Sequence, residues 1–342
     1  VSGGRGGSQH LHSPILISSG IQAEMLPTAL GYAFSKQLDN DNSISIAFIG
    51  DGTLGQGTLY ETLNLASLWN VRLLVIVENN GIAQTTLSSQ TIAGDVRKRA
   101  EAFGIETGEM DAIDVIEMHE KIGKTISWIR KNDRPFFQIF NTVRLAPHSR
   151  RDDTRSKQYL DKLKQLDPIH VLAEQIPDCE RRSITSEVDA QIDEARISAE
   201  NAPWPDTTQQ QSEVYPPIFK VPFRPLSKFG NNLRVVNALN KALHQAMADD
   251  LTVHILGQDI LDPYGGAFKV TEGLSSNFPD RVLATPISEA AMVGAGCGLG
   301  LGEYKSVVEI MFGDFTTLTA DQLINNAAKF YYLSQGNRSV NL

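Results

Sequence analysis

The chain has 342 residues, 41% hydrophobic and 21% charged, with a formal net charge of -9. That length suffices for two domains with a core each, and the acidic balance argues against nucleic acid, whose phosphates it would repel. No run of about eighteen apolar residues occurs, so no transmembrane helix and no membrane partner are expected. Cys179 and Cys297 lie far apart without zinc or disulfide spacing and read as free thiols. After a glycine-rich start, residues 45–49 (SIAFI), 73–77 (LLVIV) and 136–140 are short apolar runs of the kind buried in a parallel sheet. Between them, Leu59, Leu63, Ala66 and Leu68 fall near helical spacing over residues 58–69, as do Val115, Ile116, Ile122, Ile126 and Ile129 over 113–129. Strands alternating with helices predict an α/β fold with a doubly wound sheet.

Residues 161–200 are polar and helical in character. Pro203, Pro205, Pro216, Pro217, Pro222 and Pro225 then rule out regular helix and predict an extended linker. Beyond it, residues 233–248 predict a helix, 253–256 a strand, 288–301 a glycine-studded helix, 307–311 a strand and 320–332 a helix. The expected organisation is a first α/β domain over 1–160, a helical extension over 161–200, a Pro-rich linker over 201–228 and a second α/β domain over 229–342. Glycines at 294, 296, 298, 300 and 302 do not keep the GxGxxG register of a dinucleotide site. Small residues there suit close packing of the helix against another domain or subunit.

The most specific signal is Gly50-Asp51-Gly52 followed, after 26 residues, by Asn79-Asn80, each behind an apolar strand. A carboxylate at one strand end and an amide at the next would converge on a hard divalent cation that prefers oxygen ligands and neutralises a diphosphate. Gly50 and Gly52 leave room for a phosphate, and the helix near Thr58 offers its N-terminus to negative charge. Either motif alone is a common turn. Together they form the pattern of a thiamine diphosphate site with Mg2+.

Around that pattern, the segment GDGTLGQGTLYETLNLASLWNVRLLVIVENNGIAQTT resembles the alpha subunit of the thiamine-diphosphate-dependent pyruvate and branched-chain 2-oxo acid dehydrogenases. The resemblance implies that Asp51, Asn80 and the carbonyl of Ile82 hold the metal, although the family usually has an aromatic residue at the last position. It places Gln56 near the diphosphate, and Gly20 and Gln22, from SSGIQAEMLPTALG, along the aminopyrimidine. It also makes His10, in GRGGSQHLHS, the histidine near the active-site entrance, while His12 has no counterpart and is expected at the surface. His148, in RLAPHSRRDD, matches a loop histidine that approaches the diphosphate and helps acyl transfer, and Ser149 stands where mitochondrial relatives are phosphorylated.

The second half, from GGAFKVTEGL to AAKFYY, resembles the beta subunit of the same family. Its TPISE motif ends in Glu289, the counterpart of the glutamate that shares a proton with the pyrimidine ring, where a general acid tuned by burial is required. An ordinary helix-starting glutamate would look the same in isolation. Met311 and Phe315 fall where the family packs apolar groups around the pyrimidine.

The chain is thus identified as resembling a decarboxylating component with alpha-type and beta-type halves fused, built from two doubly wound thiamine-diphosphate-binding-fold domains in tandem. The resemblance implies oxidative decarboxylation of a 2-oxo acid with acyl transfer to the lipoyl domain of a dihydrolipoyl acyltransferase. It also implies a homodimer with interfacial active sites, in the cytoplasm or the mitochondrial matrix. A transketolase-like or biosynthetic transferase of a two-carbon unit uses the same cofactor and stays open, as does a non-catalytic paralogue. The family's C-terminal domain is unmatched, and Val1 lies inside a glycine-rich stretch, so the chain is expected to be part of a longer one.

Overall fold

Chain direction and strand burial together dictate two parallel sheets. The structure, a computed structural model, describes residues 5–7, 9–150, 152–204 and 233–342. Its first half runs α1 (Met25–Leu38), β1 (Ser45–Gly50), α2 (Gly57–Leu68), β2 (Leu73–Asn79), α3 (Ser88–Thr91), α4 (Val96–Glu101), β3 (Glu106–Asp111), α5 (Val115–Asn132) and β4 (Phe136–Asn141). The four strands form a parallel sheet in the order β1-β2-β4-β3. Side chains alternate across a strand, so Leu73, Val75 and Val77 of β2 enter one core with Leu30, Leu59 and Leu63, while Leu74 and Ile76 enter another with Ile129 of α5. Helices therefore cover both faces, which is the doubly wound arrangement read from the sequence. The residues around 161–200 form α6 (Lys157–Leu163), α7 (Pro168–Ala173) and α8 (Asp178–Asn201), the last without a buried residue.

The second half runs α9 (Val235–Asp249), β5 (Val253–Gly257), α10 (Leu274–Asn277), β6 (Val282–Ala284), α11 (Glu289–Leu301), β7 (Lys305–Glu309) and α12 (Phe330–Leu333). The sheet is parallel, β6-β5-β7, with Ile255 packed beside Met247 of α9 and Leu256 in the core shared with α11. The structure departs from the sequence reading at several elements. β3, with the sequence ETGEMD, is a polar edge strand that alternation did not reveal, and the strand expected at 307–311 lies two residues earlier. The helix expected over 320–332 is a π-helical segment (Gln322–Ala327) followed by α12. Its wide turn carries Gln322 and Asn326 inward, where both side chains donate to the Glu24 carbonyl, at 3.0 and 3.4 Å. Most of the linker expected over 201–228 lies outside the described residues.

The two halves share one core. Leu26, Leu30 and Ala33 of α1 cluster with Ala291, Ala295 and Leu299 of α11. The helices touch backbone to backbone: a Cβ on Gly31 would lie 1.9 Å from the Ala295 carbonyl oxygen, and one on Gly298 would lie 2.1 Å from that of Thr28. Tyr304 adds a hydrogen bond from its hydroxyl to Asp39, 2.8 Å.

The N-terminal segment also leans on the second half. His12 pairs with Ile17 in an antiparallel bridge, and Arg338 donates to the Pro14 carbonyl. Far from lying at the surface, His12 is 8% exposed, with its ring edge-on to Phe330 at 5.2 Å. Burial, and then the charges of Arg338 and His10, push its pKa down to about 4.

Gly298→Ala forces α1 and α11 apart and should lower stability by about 1–3 kcal/mol. Gly123→Ala in α5, where nothing lies within 4 Å of the added carbon, should raise it by about 0.5–1 kcal/mol. Urea midpoints of the two variants check both signs. His12 titrates at 6.5 when unfolded and about 4 when folded, so the folded state binds fewer protons and loses stability as pH falls through that window, by up to ~3 kcal/mol. The gap in urea midpoint between wild type and His12→Phe should widen in the variant's favour from pH 6.5 to 4; a constant gap would refute the assignment.

Candidate functional site

Gly50 and Glu78 are register partners on adjacent parallel strands, so Asp51 and Asn79-Asn80 leave the sheet at the same edge. Asp51 begins a 3-10 turn (Asp51–Gly55) and is only 2% exposed. After Asn80 the chain reverses: Gly81 takes φ +77, Ile82 bridges Leu87, and the Ser88 amide donates to the Gly81 carbonyl at 2.9 Å. Positive φ is costly for any residue with a Cβ, which explains a glycine there. The reversal brings the loop back to the turn. The Ser88 hydroxyl donates to the Asp51 carboxylate, and a Cβ on Gly52 would lie 3.5 Å from that of Ala83. Asn80 turns its amide oxygen to the Ile82 amide at 3.1 Å, which keeps one lone pair for another partner.

This donor set is one buried carboxylate, one amide oxygen and the carbonyls of a tight loop. Among the described residues no group of three or more His, Cys, Asp or Glu could hold a metal. The set therefore suits a hard cation that takes its remaining oxygens from a phosphate and water, rather than an ion caged wholly by protein. Gly57 opens α2 directly after the turn, with Gln56 exposed at its N-cap and making no side-chain cap bond. That leaves the helix N-terminus to negative charge.

Two further segments close on this edge. Gln22 accepts a hydrogen bond from Thr53 of the turn, and a Cβ on Gly20 would meet the Gln9 amide oxygen at 2.1 Å, which puts the Gly20-Gln22 stretch beside the segment carrying His10. Arg144 donates to the carbonyls of Ala83 and Gln84, at 2.5 and 3.0 Å. Arg155 holds the rest of that loop, donating to the Arg144 carbonyl at 2.6 Å and pairing with Asp153 at 2.7 Å. The guanidinium holds the Asp153 carboxyl down at about 2. His148 projects from this loop, exposed, with Nδ1 3.1 Å from the Ser149 hydroxyl.

In the second half Glu289 is the first residue of α11 and half-buried. Across from it, Glu61 of α2 accepts from the Ala291 amide at 3.2 Å. Burial raises the Glu61 carboxyl, the Ala291 hydrogen bond works against this, and the charge of Glu289 adds to it. Met311 is half-buried beyond β7, while Phe315 is exposed and packs on Phe312 at 5.3 Å, which in turn packs on Phe268 at 5.5 Å. Glu61, Ser88 and Arg155 were not singled out in the sequence. The partners of the first two lie 230 and 37 residues away, a separation no local pattern reports.

The family model described as Dehydrogenase E1 component matches residues 2–208, and that described as Transketolase, pyrimidine binding domain matches residues 231–342. The chain is 31% identical over 226 residues to the pyruvate dehydrogenase E1 component subunit alpha of Rickettsia felis, covering 63% of this chain and 69% of that protein. Identity to the same subunit of Zymomonas mobilis is 30% over 217 residues, 60% of this chain and 61% of that one. Among solved structures, a transketolase from Campylobacter jejuni superposes with a TM-score of 0.55 at 17% identity, over 91% of this chain and 51% of its own. A Pichia stipitis transketolase gives 0.55 at 13%, again with 51% of its length covered, so this chain spans about half of either and shares their fold. With more than half of its length matched by one family model, the chain belongs to the dehydrogenase E1 component family.

Proposed function

We propose that this chain is a thiamine-diphosphate-dependent decarboxylating component for a 2-oxo acid, with alpha-type and beta-type halves fused in one polypeptide. The observation that carries the reading is the convergence at one sheet edge: Asp51, the returning 80–88 loop and the Arg144 clamp meet there. The helix opened by the same turn reaches the N-terminus of α11, where Glu289 stands. The pyrimidine-binding match on the second half supports assigning the two ends of one cofactor to the two halves.

In this reading Asp51, the Asn80 amide oxygen and the Ile82 carbonyl would hold Mg2+, which would neutralise the diphosphate. Bound thiamine diphosphate would supply a nucleophilic carbon and an electron sink for the bond to the departing carboxylate. Gly20 and Gln22 would lie along its pyrimidine and Gln56 near its diphosphate, and Met311 and Phe315 would keep water from the ring. Glu289 would hold a proton at a ring nitrogen, with Glu61 of the first half beside it at the start of α11. His148 and His10, on loops beside the metal edge, orient the acid and the acyl acceptor, a lipoyl domain of a dihydrolipoyl acyltransferase. The exposed row Phe268, Phe312 and Phe315 is an apolar surface of the kind a second copy covers, which supports a homodimer with shared sites.

Calorimetry should show uptake of thiamine diphosphate only with Mg2+, and Asp51→Asn should abolish it. Turnover of pyruvate or 2-oxoisovalerate with an artificial electron acceptor should exceed that of a ketose phosphate. Glu289→Gln should lower kcat by about 10²–10⁴-fold while leaving the Mg2+ requirement in place. Turnover of the sugar phosphate alone would instead establish a transferase of two-carbon units, and absence of cofactor uptake would end both readings.

A further inference from the structure

We infer that Ser88 is a positioning residue that fixes the Asp51 carboxylate for its cation. The inference rests on the metal-site reading above and adds to it a residue outside the expected donor set. Asp51 is 2% exposed, and a buried carboxylate without hydrogen-bond donors is expensive. Among the described residues, the side-chain donor to it is the Ser88 hydroxyl, on Oδ2, which leaves Oδ1 without one.

Ser88 is itself held firmly. Its amide donates to the Gly81 carbonyl at 2.9 Å, its carbonyl accepts from the Ile92 amide at 2.8 Å, and the Ile82 to Leu87 bridge closes the loop just before it. The same loop carries Asn80 and Ile82. One hydroxyl therefore joins the strand end that supplies the carboxylate to the loop that supplies the other two oxygens. Orientation of this kind sets how much of a metal's binding energy is spent on ordering its ligands, and removing such a partner typically weakens metal affinity about 10–100-fold.

The Asp51–Ser88 bond joins residues 37 apart, one opening the 3-10 turn and the other opening α3, and each of these has backbone hydrogen bonds of its own. Removing the hydroxyl should leave the fold standing and change the seat. The turn and the loop would keep their backbone bonds, while the carboxylate would lose its donor.

Magnesium chloride titrated calorimetrically into the chain at saturating thiamine diphosphate tests this with wild type, Ser88→Ala, Ser88→Thr and Asp51→Asn. Ser88→Ala should raise the Mg2+ Kd about 10–100-fold. Ser88→Thr, which keeps the hydroxyl, should restore it to within about threefold of wild type, and the urea midpoint without Mg2+ should be alike in all three serine-site forms. A Kd for Ser88→Ala equal to wild type overturns the inference and leaves the metal-site reading intact. So does a loss that Thr fails to rescue and that a fall in Mg2+-free stability accompanies. A wild-type chain indifferent to Mg2+ overturns both.

Discussion

Helices α1 and α11 approach until backbone meets backbone, and the rest of the structure follows from that distance. Gly31 and Gly298 stand where any side chain would collide with a carbonyl of the opposing helix. The glycines weaken α11 as an isolated helix: Gly294, Gly296, Gly298 and Gly300 in its interior each cost about 0.5–1 kcal/mol relative to alanine, some 2–4 kcal/mol together. Burial of Leu26, Leu30, Ala291 and Leu299 in one cluster offsets it. The helix is stable because it is packed, and the halves stay together because only this packing makes it stable.

From that contact the site inherits its geometry. α2 lies beside α1 and in the same core, so its first turns are carried toward the start of α11. β1 and β2, whose outward ends bear Asp51 and Asn80, are fixed in register by the residues that fill this core from below, Val75 and Val77 among them. A one-residue slip would turn those side chains to the opposite face and move the carboxylate away from its loop. Polar bonds add direction to an otherwise non-directional apolar contact: Gln322 and Asn326 on the Glu24 carbonyl, and Tyr304 on Asp39, fix the rotation of one half against the other.

Elements with strong periodicity were legible in the sequence. The apolar runs of β1, β2, β4 and β5 and the stripes of α2, α5 and α9 appear within one to three residues of where apolar runs and helical spacing put them. β3 was not, because ETGEMD is an edge strand whose burial on one side is slight. The helix expected over 320–332 failed for a different reason: two buried amides, Gln322 and Asn326, reach the Glu24 carbonyl from a widened turn, and a long-range partner leaves no trace in local pattern. The convergence of Asp51 and Asn80 at one sheet edge was legible because both motifs sit at strand ends. His12 was misjudged because nothing in LHSPIL shows that Phe330 will cover it.

The pairing of Glu61 with α11 shows how stability and chemistry share atoms here. α11 starts without a side-chain cap of its own, since Ser288 makes no such bond. The carboxylate that satisfies the Ala291 amide comes from the other half. A helix N-terminus favours negative charge, so Glu61 is rewarded for being ionised there, yet burial and the charge of Glu289 press it toward the neutral acid. Two carboxyl groups at one helix start cannot both be ionised at low cost. The Ala291 amide pulls the other way, so the Glu61 carboxyl stands between a donor that favours its charge and a neighbour that opposes it. The cap that joins the halves is thus also the group on which burial and the Ala291 amide act in opposite directions.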